Sequence, residues 1–306
     1  MVAAVYSSYF WNTNPNKYFL LAPGLGESTS GTTILHHGDG AKRRRKIKVM
    51  ALLEVRNVSK HFLGLAALEK VNFEVREGEI KGLIGPNGAG KTTMFNVITG
   101  FLAATEGNIF FNGRNITHLK PHQLVKLGLT RTWQGNVLLK NETCLGNLLL
   151  AHHVHLGINW RGILVATKKV KSRESELRES CLELLELVGL SHSKEELAGQ
   201  LPHGHQRALF ICMALATRPR LLLLDEPVTG LNYEETLHMV NLIRKVHEEK
   251  RITMVVVEHN MKVIMGISDR IVVLDHGVKI AEGTPQEIAG NEIVIEAYLG
   301  SGFRTN

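Results

Sequence analysis

The chain has 306 residues, of which 44% are hydrophobic and 21% are charged. That length is enough for one large domain or two modest ones with a buried core. The sequence contains no run of 18 apolar residues, so it predicts no membrane-spanning helix. Its few, widely spaced cysteines argue against a disulfide framework and suit a reducing cytosol; they are Cys144, Cys181 and Cys212.

The net charge of +7 is concentrated near the N-terminus. Residues 1–50 hold seven Lys or Arg and two acids, and the rest of the chain carries only +2. Because this remaining body is close to neutral, we expect it to have no nucleic-acid partner.

Residues 1–49 differ in composition from the rest and end in the basic run KRRRKIK. Three interpretations stay open: a basic arm that binds nucleic acid or lipid, a cleaved targeting peptide, and a disordered extension or over-extended start with initiation at Met50. The third is favoured, because the apolar stretches are too broken for a secretory signal and a strand-like alternation begins directly after Met50. We therefore predict one folded domain over residues 50–306.

From residue 51 the pattern mixes α and β, which predicts an α/β fold. The predicted strands lie at 52–57, 70–75, 79–84, 107–112, 220–225, 252–257 and 270–274. A glycine-rich turn at 85–90 leads into a predicted helix at 91–100, and residues 135–216 are predicted to be mostly helical. An apolar stripe with helical spacing, followed by Gly189 as the expected helix end, indicates packing in a core or against a partner; it consists of Leu177, Cys181, Leu184, Leu185 and Val188.

A complete phosphate-binding pattern joins the strand at 79–84 to the helix at 91–100. Its glycines let the backbone turn tightly, so that successive N–H groups, and those of the helix start, point at a polyphosphate. Lys91 is expected to contact the β- and γ-phosphates, and Thr92 to bind Mg²⁺. The alternative is an ordinary glycine-rich turn, against which the eight-position match argues. The residues concerned are Gly85, Pro86, Asn87, Gly88, Ala89, Gly90, Lys91, Thr92 and Thr93.

Two acids follow the apolar run LLLL at 221–224. The run is typical of a buried strand in a parallel sheet, whose carboxyl end is where such sheets bind ligands. There, Asp225 is expected to hold Mg²⁺, and Glu226 to polarise an attacking water as general base. A strand that merely ends in surface acids is the alternative, and the preceding phosphate-binding pattern makes it less favoured.

The histidines raise the question of a metal site. Zinc needs three or four converging ligands, and the run HHVH at 152–155 has no Cys or acid at ligand spacing. We therefore predict no structural metal, and a polar loop or helix face for these residues. The histidines considered are His152, His153, His155, His192, His203 and His205.

The motifs resemble those of ATP-binding subunits of ATP-binding cassette (ABC) transporters over nearly all of residues 51–300. Within that family, the chain is most similar to the first ATPase subunit of high-affinity branched-chain amino-acid importers. The segments that carry the resemblance are GLIGPNGAGKTTMFNVITGF, RTWQ, LLLLDEPVTGLN, VVVEHNMKVIMGISDRIVVLDHGVKIAEGTP and EAYLG.

The resemblance implies roles for three further residues. Gln134 is expected to sense Mg²⁺ and nucleotide and to link the core to a helical subdomain. His259 is expected to contact the γ-phosphate, and Phe62 to stack on adenine; a solvent-facing histidine and a core phenylalanine are the alternatives. Asn232 and Tyr233 depart from the aspartate and proline that are common in the family.

The resemblance also implies a fold and a mechanism. The fold is a P-loop ATPase core with a mostly parallel sheet, a small antiparallel β subdomain near 51–75 and an inserted helical subdomain near 135–215. Two such subunits, identical or different, sandwich two ATP molecules and drive membrane permeases at the cytoplasmic face of the inner membrane, supplied by an external substrate-binding protein. The alternatives are an importer of urea or amides, a lipopolysaccharide exporter and a non-transport ABC ATPase.

The stretch LPHGHQR at 201–207 stands where the family has its signature, usually Leu-Ser-Gly-Gly-Gln. Leu201 and Gly204 match it, whereas proline and two histidines replace other positions. The serine hydroxyl is absent, but a glycine at the start of a helix retains free N–H groups for the γ-phosphate of a second subunit's ATP. Proline is tolerated in a first turn, so we interpret the stretch as a variant signature in which Gly204 binds nucleotide.

Overall fold

The computed structural model describes residues 51–132, 138–152 and 168–299, with the side chains of residues 168–174 and 299 excepted. The strands are β1 (Ala51–Phe62), β2 (Leu65–Arg76), β3 (Ile80–Ile84), β4 (Glu106–Phe111), β5 (Arg114–Asn115), β6 (Leu129–Arg131), β7 (Leu221–Asp225), β8 (Thr253–Val257), β9 (Arg270–Asp275) and β10 (Val278–Gly283). The helices are α1 (Lys91–Ile98), α2 (Pro121–Lys126), α3 (Cys144–His152), α4 (Lys168–Leu187), α5 (His203–Ala216), α6 (Tyr233–Lys250), α7 (Met261–Ile267), α8 (Pro285–Ala289) and α9 (Glu292–Leu299).

A four-stranded antiparallel sheet has the order β2-β1-β4-β5. In β2, Val71, Phe73 and Val75 are buried while the residues between them are exposed, which is the period of a half-buried strand. The prediction of an antiparallel subdomain near 51–75 was too narrow, because β4 pairs with β1 through partners such as Leu53 and Phe111. The strand at 107–112 was predicted, but its partner lies more than 40 residues away along the chain, where local sequence patterns give no signal.

The second sheet has six strands in the order β10-β9-β3-β8-β7-β6. The five strands from β9 to β6 run parallel to one another, and β10 is an antiparallel edge strand. Every residue of β3, β7 and β8 is buried, as expected for strands covered on both faces. The predicted strands at 79–84, 220–225, 252–257 and 270–274 are confirmed to within one residue. Nothing in the sequence had predicted β6 or β10.

Three helices, α3, α4 and α5, pack together in the segment that was predicted to be mostly helical. The apolar stripe of α4 buries Cys181, Leu184 and Leu185, and Gly189 follows the helix with φ +78, so its predicted role at the helix end is confirmed. All three cysteines are free and buried in this segment. Burial raises the pKa of Cys144 and of Cys181 to about 11, which keeps these thiols protonated and unreactive.

Neighbouring strands β3, β8 and β7 bring three loops to one edge of the parallel sheet. The loop at 85–90 follows β3, Glu226 follows β7, and His259 comes two residues after β8. Because carboxyl ends of parallel strands lie side by side, segments separated by up to 174 residues of sequence become adjacent here. Among the residues that the structure describes, no helix is both long and apolar enough to cross a bilayer.

Candidate functional site

The loop between β3 and α1 admits only glycine at two positions. A Cβ added to Gly85 would lie 2.1 Å from the carbonyl oxygen of Leu274, which is backbone and cannot rotate away. Gly90 has φ +100, and a Cβ there would lie 2.7 Å from the carbonyl oxygen of Ala67. Neighbouring backbone therefore lies close to the loop at both positions, and these contacts fix the conformation of the loop and the positions of its N–H groups.

Lys91 begins helix α1 and is buried apart from 8% of its surface. Its Nζ donates to the carbonyl oxygens of Gly85 and Pro86 at 2.7 and 2.9 Å, so its charge is held at the mouth of the loop. Burial lowers the pKa of Lys91, and the nearby charge of Glu226 opposes that shift. The first helical hydrogen bond runs from Met94 N–H to Gly90, which leaves the preceding amides of α1 for other acceptors.

Asp225 and Glu226 follow one another but lie in different environments. Asp225 ends β7, is 3% exposed and forms an ion pair with Arg131 at 2.6 Å. Glu226 has φ +49, a left-handed conformation that costs a non-glycine residue about 1–3 kcal/mol. Its carboxylate accepts from Thr229 Oγ1 at 3.2 Å. The strained turn thus directs one carboxylate into the sheet edge and the next toward the loops.

His259 is brought to Glu226 by the end of β8. Its Nδ1 lies 3.5 Å from Glu226 Oε1, and its side chain is 53% exposed. The preceding residue, Glu258, is fully buried and accepts a hydrogen bond from the backbone N–H of Val228 at 2.9 Å. Burial, more than any neighbouring charge, raises the pKa of Glu258. This carboxyl therefore ties the turn after Glu226 to the segment that carries His259.

Arg131, at the end of β6, contacts both helix α1 and strand β7. One guanidinium nitrogen donates to Asp225 Oδ2 and another to Asn96 Oδ1 of α1, each at 2.6 Å. The guanidinium carbon also lies 5.4 Å from the centre of the Phe95 ring. Sequence reasoning missed Arg131, although it begins RTWQ, one of the segments that carry the family resemblance.

Tyr298 is a further residue that sequence reasoning missed. It belongs to α9, and its phenol approaches the backbone of Gly85. Burial raises the pKa of this phenol to about 12, so it stays protonated. The segment EAYLG contributed to the family resemblance, but nothing in its local pattern pointed to the phosphate-binding loop. The C-terminal helix thus packs against the same loop as the parallel sheet.

The stretch 201–207 forms the start of helix α5, with Pro202 at its N-cap. Gly204 is the second helical residue, and a Cβ there would meet Glu235 at 3.3 to 3.5 Å. His203 and His205 are both exposed. The helix start therefore contacts the first turn of α6 and presents its histidines to solvent.

The remaining predicted residues fall into three groups. Phe62 is 42% exposed and has Lys60 Nζ 4.9 Å from its ring centre, so the alternative of a core phenylalanine is wrong. Gln134, His153 and His155 lie outside the described residues. His152 is fully buried at the end of α3, so the prediction of a polar face is wrong for it. Within residues 51–132, 138–152 and 168–299, no group of three or more His, Cys, Asp or Glu side chains converges as a metal site would need.

Two family profiles match the chain. The ABC transporter profile matches residues 68–229, and that of the branched-chain amino acid ATP-binding cassette transporters matches residues 278–304. The chain belongs to the ABC transporter family of ATP-binding cassettes. The predicted P-loop ATPase fold is confirmed, with its mostly parallel sheet, antiparallel sheet and helices.

Two relatives of this chain share one functional description. The chain is 43% identical over 249 residues to the high-affinity branched-chain amino acid transport ATP-binding protein BraF of Pseudomonas aeruginosa, covering 81% of this chain and 98% of the relative. It is 40% identical to LivG of Escherichia coli, a protein of the same description, over the same share of each chain.

Solved cassettes share this fold. A nucleotide-free ATP-binding cassette from an ABC transporter superposes with a TM-score of 0.71 at 32% identity, covering 82% of this chain and 100% of that one. The ADP conformation of the cassette MJ1267 superposes with a TM-score of 0.72 at 33% identity, covering 82% and 99%.

Proposed function

We propose that this chain is the ATP-hydrolysing subunit of an importer for branched-chain or related amino acids. The observation that supports hydrolysis best is the convergence of Lys91, Glu226 and His259 at one edge of the parallel sheet. The substrate class rests on the relatives, which are described as branched-chain amino acid transport ATP-binding proteins. The chain then works at the cytoplasmic face of the membrane, bound to permease subunits.

ATP binds through its phosphates at the loop 85–90 and the start of α1. The loop's backbone N–H groups and those of Lys91, Thr92 and Thr93 surround the phosphates, and Lys91 Nζ moves from the loop carbonyls to the β- and γ-phosphate oxygens. Phe62 offers an exposed aromatic face at the end of β1, on which the adenine stacks.

Magnesium accompanies the nucleotide. The described side chains that would hold it are the Thr92 hydroxyl and the Asp225 carboxylate, which are the hard oxygen donors that this ion prefers. The family resemblance adds Gln134, which lies outside the described residues. When bound, the ion neutralises charge that develops on the phosphate oxygens. The chain's own contribution is to hold these donors in place, since Asp225 is buried and paired with Arg131.

Glu226 orients the attacking water and accepts its proton. A carboxylate in this role must lie near the γ-phosphate and face the site, and the left-handed turn at Glu226 directs it away from the sheet interior. His259 lies 3.5 Å from it, where the imidazole can contact the γ-phosphate and hold Glu226 in position. Glu226 therefore acts on water, whereas His259 acts on phosphate and on Glu226.

A second cassette completes the site. Gly204 lies in the first turn of α5, where the amides that precede the first helical hydrogen bond attract an anion. The family resemblance assigns these amides to the nucleotide of a partner subunit, and in its own chain the same helix start contacts Glu235 of α6. Closure of the two cassettes on ATP then drives the permeases, and an external binding protein delivers the substrate.

Reconstitution tests the proposal and its substrate class. The full chain is assembled with its permeases, second cassette and binding protein, and ATP hydrolysis is measured with leucine, urea or no ligand. We expect leucine to stimulate hydrolysis and uptake together. Stimulation by urea alone would contradict the amino-acid assignment, and an assembled complex without ATP turnover would contradict the proposal as a whole.

A further inference from the structure

We propose that Arg131 is the positioning residue that holds the two halves of the magnesium-binding donor set in register. The inference rests on the proposed function, because it concerns how the cassette holds the ion that accompanies ATP. The donors come from separate elements, Thr92 from α1 and Asp225 from β7. Arg131 comes from a third element, β6, and bonds to both of the others.

The guanidinium of Arg131 joins strand β7 to helix α1 through two hydrogen bonds. Its two terminal nitrogens donate to Asp225 Oδ2 and Asn96 Oδ1, each at 2.6 Å. Asn96 lies four residues after Thr92 on α1, and residues at that spacing share a helix face. A planar, rigid fork that spans these acceptors fixes the distance between the face of α1 that carries Thr92 and the carboxylate of Asp225.

The burial of the Arg131–Asp225 ion pair indicates that its role is to position Asp225 rather than to stabilise the fold. Arg131 and Asp225 have side chains only 4% and 3% exposed. A buried ion pair contributes little net stability compared with apolar residues of the same shape, because both charges lose their hydration. The Phe95 ring beside the guanidinium further restricts its orientation. The need to align Asp225 for magnesium explains why the Arg131 guanidinium is buried beside it despite the cost of lost hydration.

Arg131 also affects Asp225 through its charge, and this effect opposes the first. A cation at 2.6 Å offsets the negative charge that attracts Mg²⁺, so simple removal of Arg131 mixes lost alignment with gained attraction. Arg131→Lys separates the two effects. It keeps the positive charge beside Asp225 but cannot span Asn96 and Asp225 with a planar fork.

Metal-dependent nucleotide binding provides the test. The full chain carrying Glu226→Gln, which limits turnover, is titrated with Mg²⁺ while binding of a fluorescent ATP analogue is followed. Removal of a residue that orients a metal ligand typically weakens metal binding about 10- to 100-fold. We expect Arg131→Lys to raise the Mg²⁺ concentration for half-saturation about tenfold, and to leave analogue binding in EDTA unchanged.

Two further variants separate the proposed role of Arg131 from general effects of substitution. Asn96→Ala removes the closer acceptor of the fork on α1, leaves the longer contact with Thr99 Oγ1 at 3.5 Å, and leaves the ion pair. A smaller rise in the same direction is therefore expected even if Arg131→Lys folds poorly. Arg220→Lys is the matched control, because Arg220 forms an ion pair with Glu77 at 2.8 Å at the surface. Its Mg²⁺ dependence should equal that of the parent.

An unchanged Mg²⁺ dependence in both Arg131→Lys and Asn96→Ala would overturn the inference while leaving the proposed function standing. Loss of analogue binding in EDTA to the same extent as in Mg²⁺ would also overturn it, since that result indicates a damaged phosphate site. If the parent chain binds no analogue at any Mg²⁺ concentration, the proposed function fails and the inference fails with it.

Discussion

His259 Nδ1 lies 3.5 Å from Glu226 Oε1, and the two residues follow the neighbouring parallel strands β8 and β7. They are 33 positions apart in sequence, so only the pairing of these strands brings them together. The contact links the proposed general base to the residue proposed to contact the γ-phosphate. A change in nucleotide state at His259 can therefore alter the position of Glu226 directly.

The first prediction concerns this contact. Replacing His259 by alanine removes a donor to the γ-phosphate and the neighbour that orients Glu226, so hydrolysis should fall about 100-fold. ATP binding should change much less, because the phosphate-binding loop is intact. His276→Asn is the matched control, since His276 also pairs with an acid, Asp275 at 2.8 Å, but lies exposed on a hairpin. Equal turnover of the two variants in the assembled complex would argue against the contact's importance.

The phosphate-binding loop gives a second prediction. Gly85→Ala places a Cβ 2.1 Å from the carbonyl oxygen of Leu274, so the loop must shift and nucleotide binding should be lost. Gly78→Ala is the comparison, because Gly78 lies outside the phosphate-binding loop, no atom lies within 4 Å of the added Cβ, and only its positive φ costs about 1–2 kcal/mol. Thermal unfolding and ATP binding of both variants measure the difference. Similar melting temperatures and ATP binding in the two alanine variants would contradict the steric requirement for glycine at position 85.

A third prediction concerns the variant signature at the start of α5. Gly204→Asp should abolish cooperative ATP hydrolysis in the assembled complex, because a carboxylate repels the partner's γ-phosphate. Pro202→Ser should be tolerated, since proline there is an N-cap without a side-chain hydrogen bond. Steady-state hydrolysis against ATP concentration measures both effects.

The structure adds a control to this test, because the new aspartate would also face Glu235 in its own chain. Glu235→Gln removes that local repulsion and keeps the capping hydrogen bonds with Asn232. If Glu235→Gln restores hydrolysis to the Gly204→Asp variant, the loss was local and the nucleotide role of Gly204 is contradicted.

How far the sequence predicts this molecule depends on the range of the interactions concerned. The phosphate-binding loop and β7 are encoded by consecutive residues, and both were predicted in place. The pairing of β4 with β1 is non-local and could not be predicted from either strand. Arg131 was missed for the same reason, because its partners Asn96 and Asp225 lie 35 and 94 positions away. The exposure of Phe62 and the burial of His152 likewise depend on tertiary packing.

A fourth prediction follows from the buried carboxyl of Glu258. Its pKa is raised in the folded chain, chiefly by burial, so the folded state binds this proton more tightly than the unfolded state. The stability that it contributes is present below the ordinary pKa of glutamate and is lost as the pH rises through the folded value. Glu258→Gln resembles the protonated form, and should raise the melting temperature more at pH 7 than at pH 4.5. An equal change at both pH values would contradict this account.

The measurement that tests the central claim most directly is the hydrolysis of ATP by Glu226→Gln in the assembled transporter. The amide cannot accept a proton from water, so the phosphate-release rate should fall by about 100-fold or more while ATP is still bound. Amino-acid uptake should stop with it, because closure without hydrolysis does not reset the permeases. Wild-type rates of phosphate release and uptake in this variant would show that Glu226 is not the general base and would contradict the account.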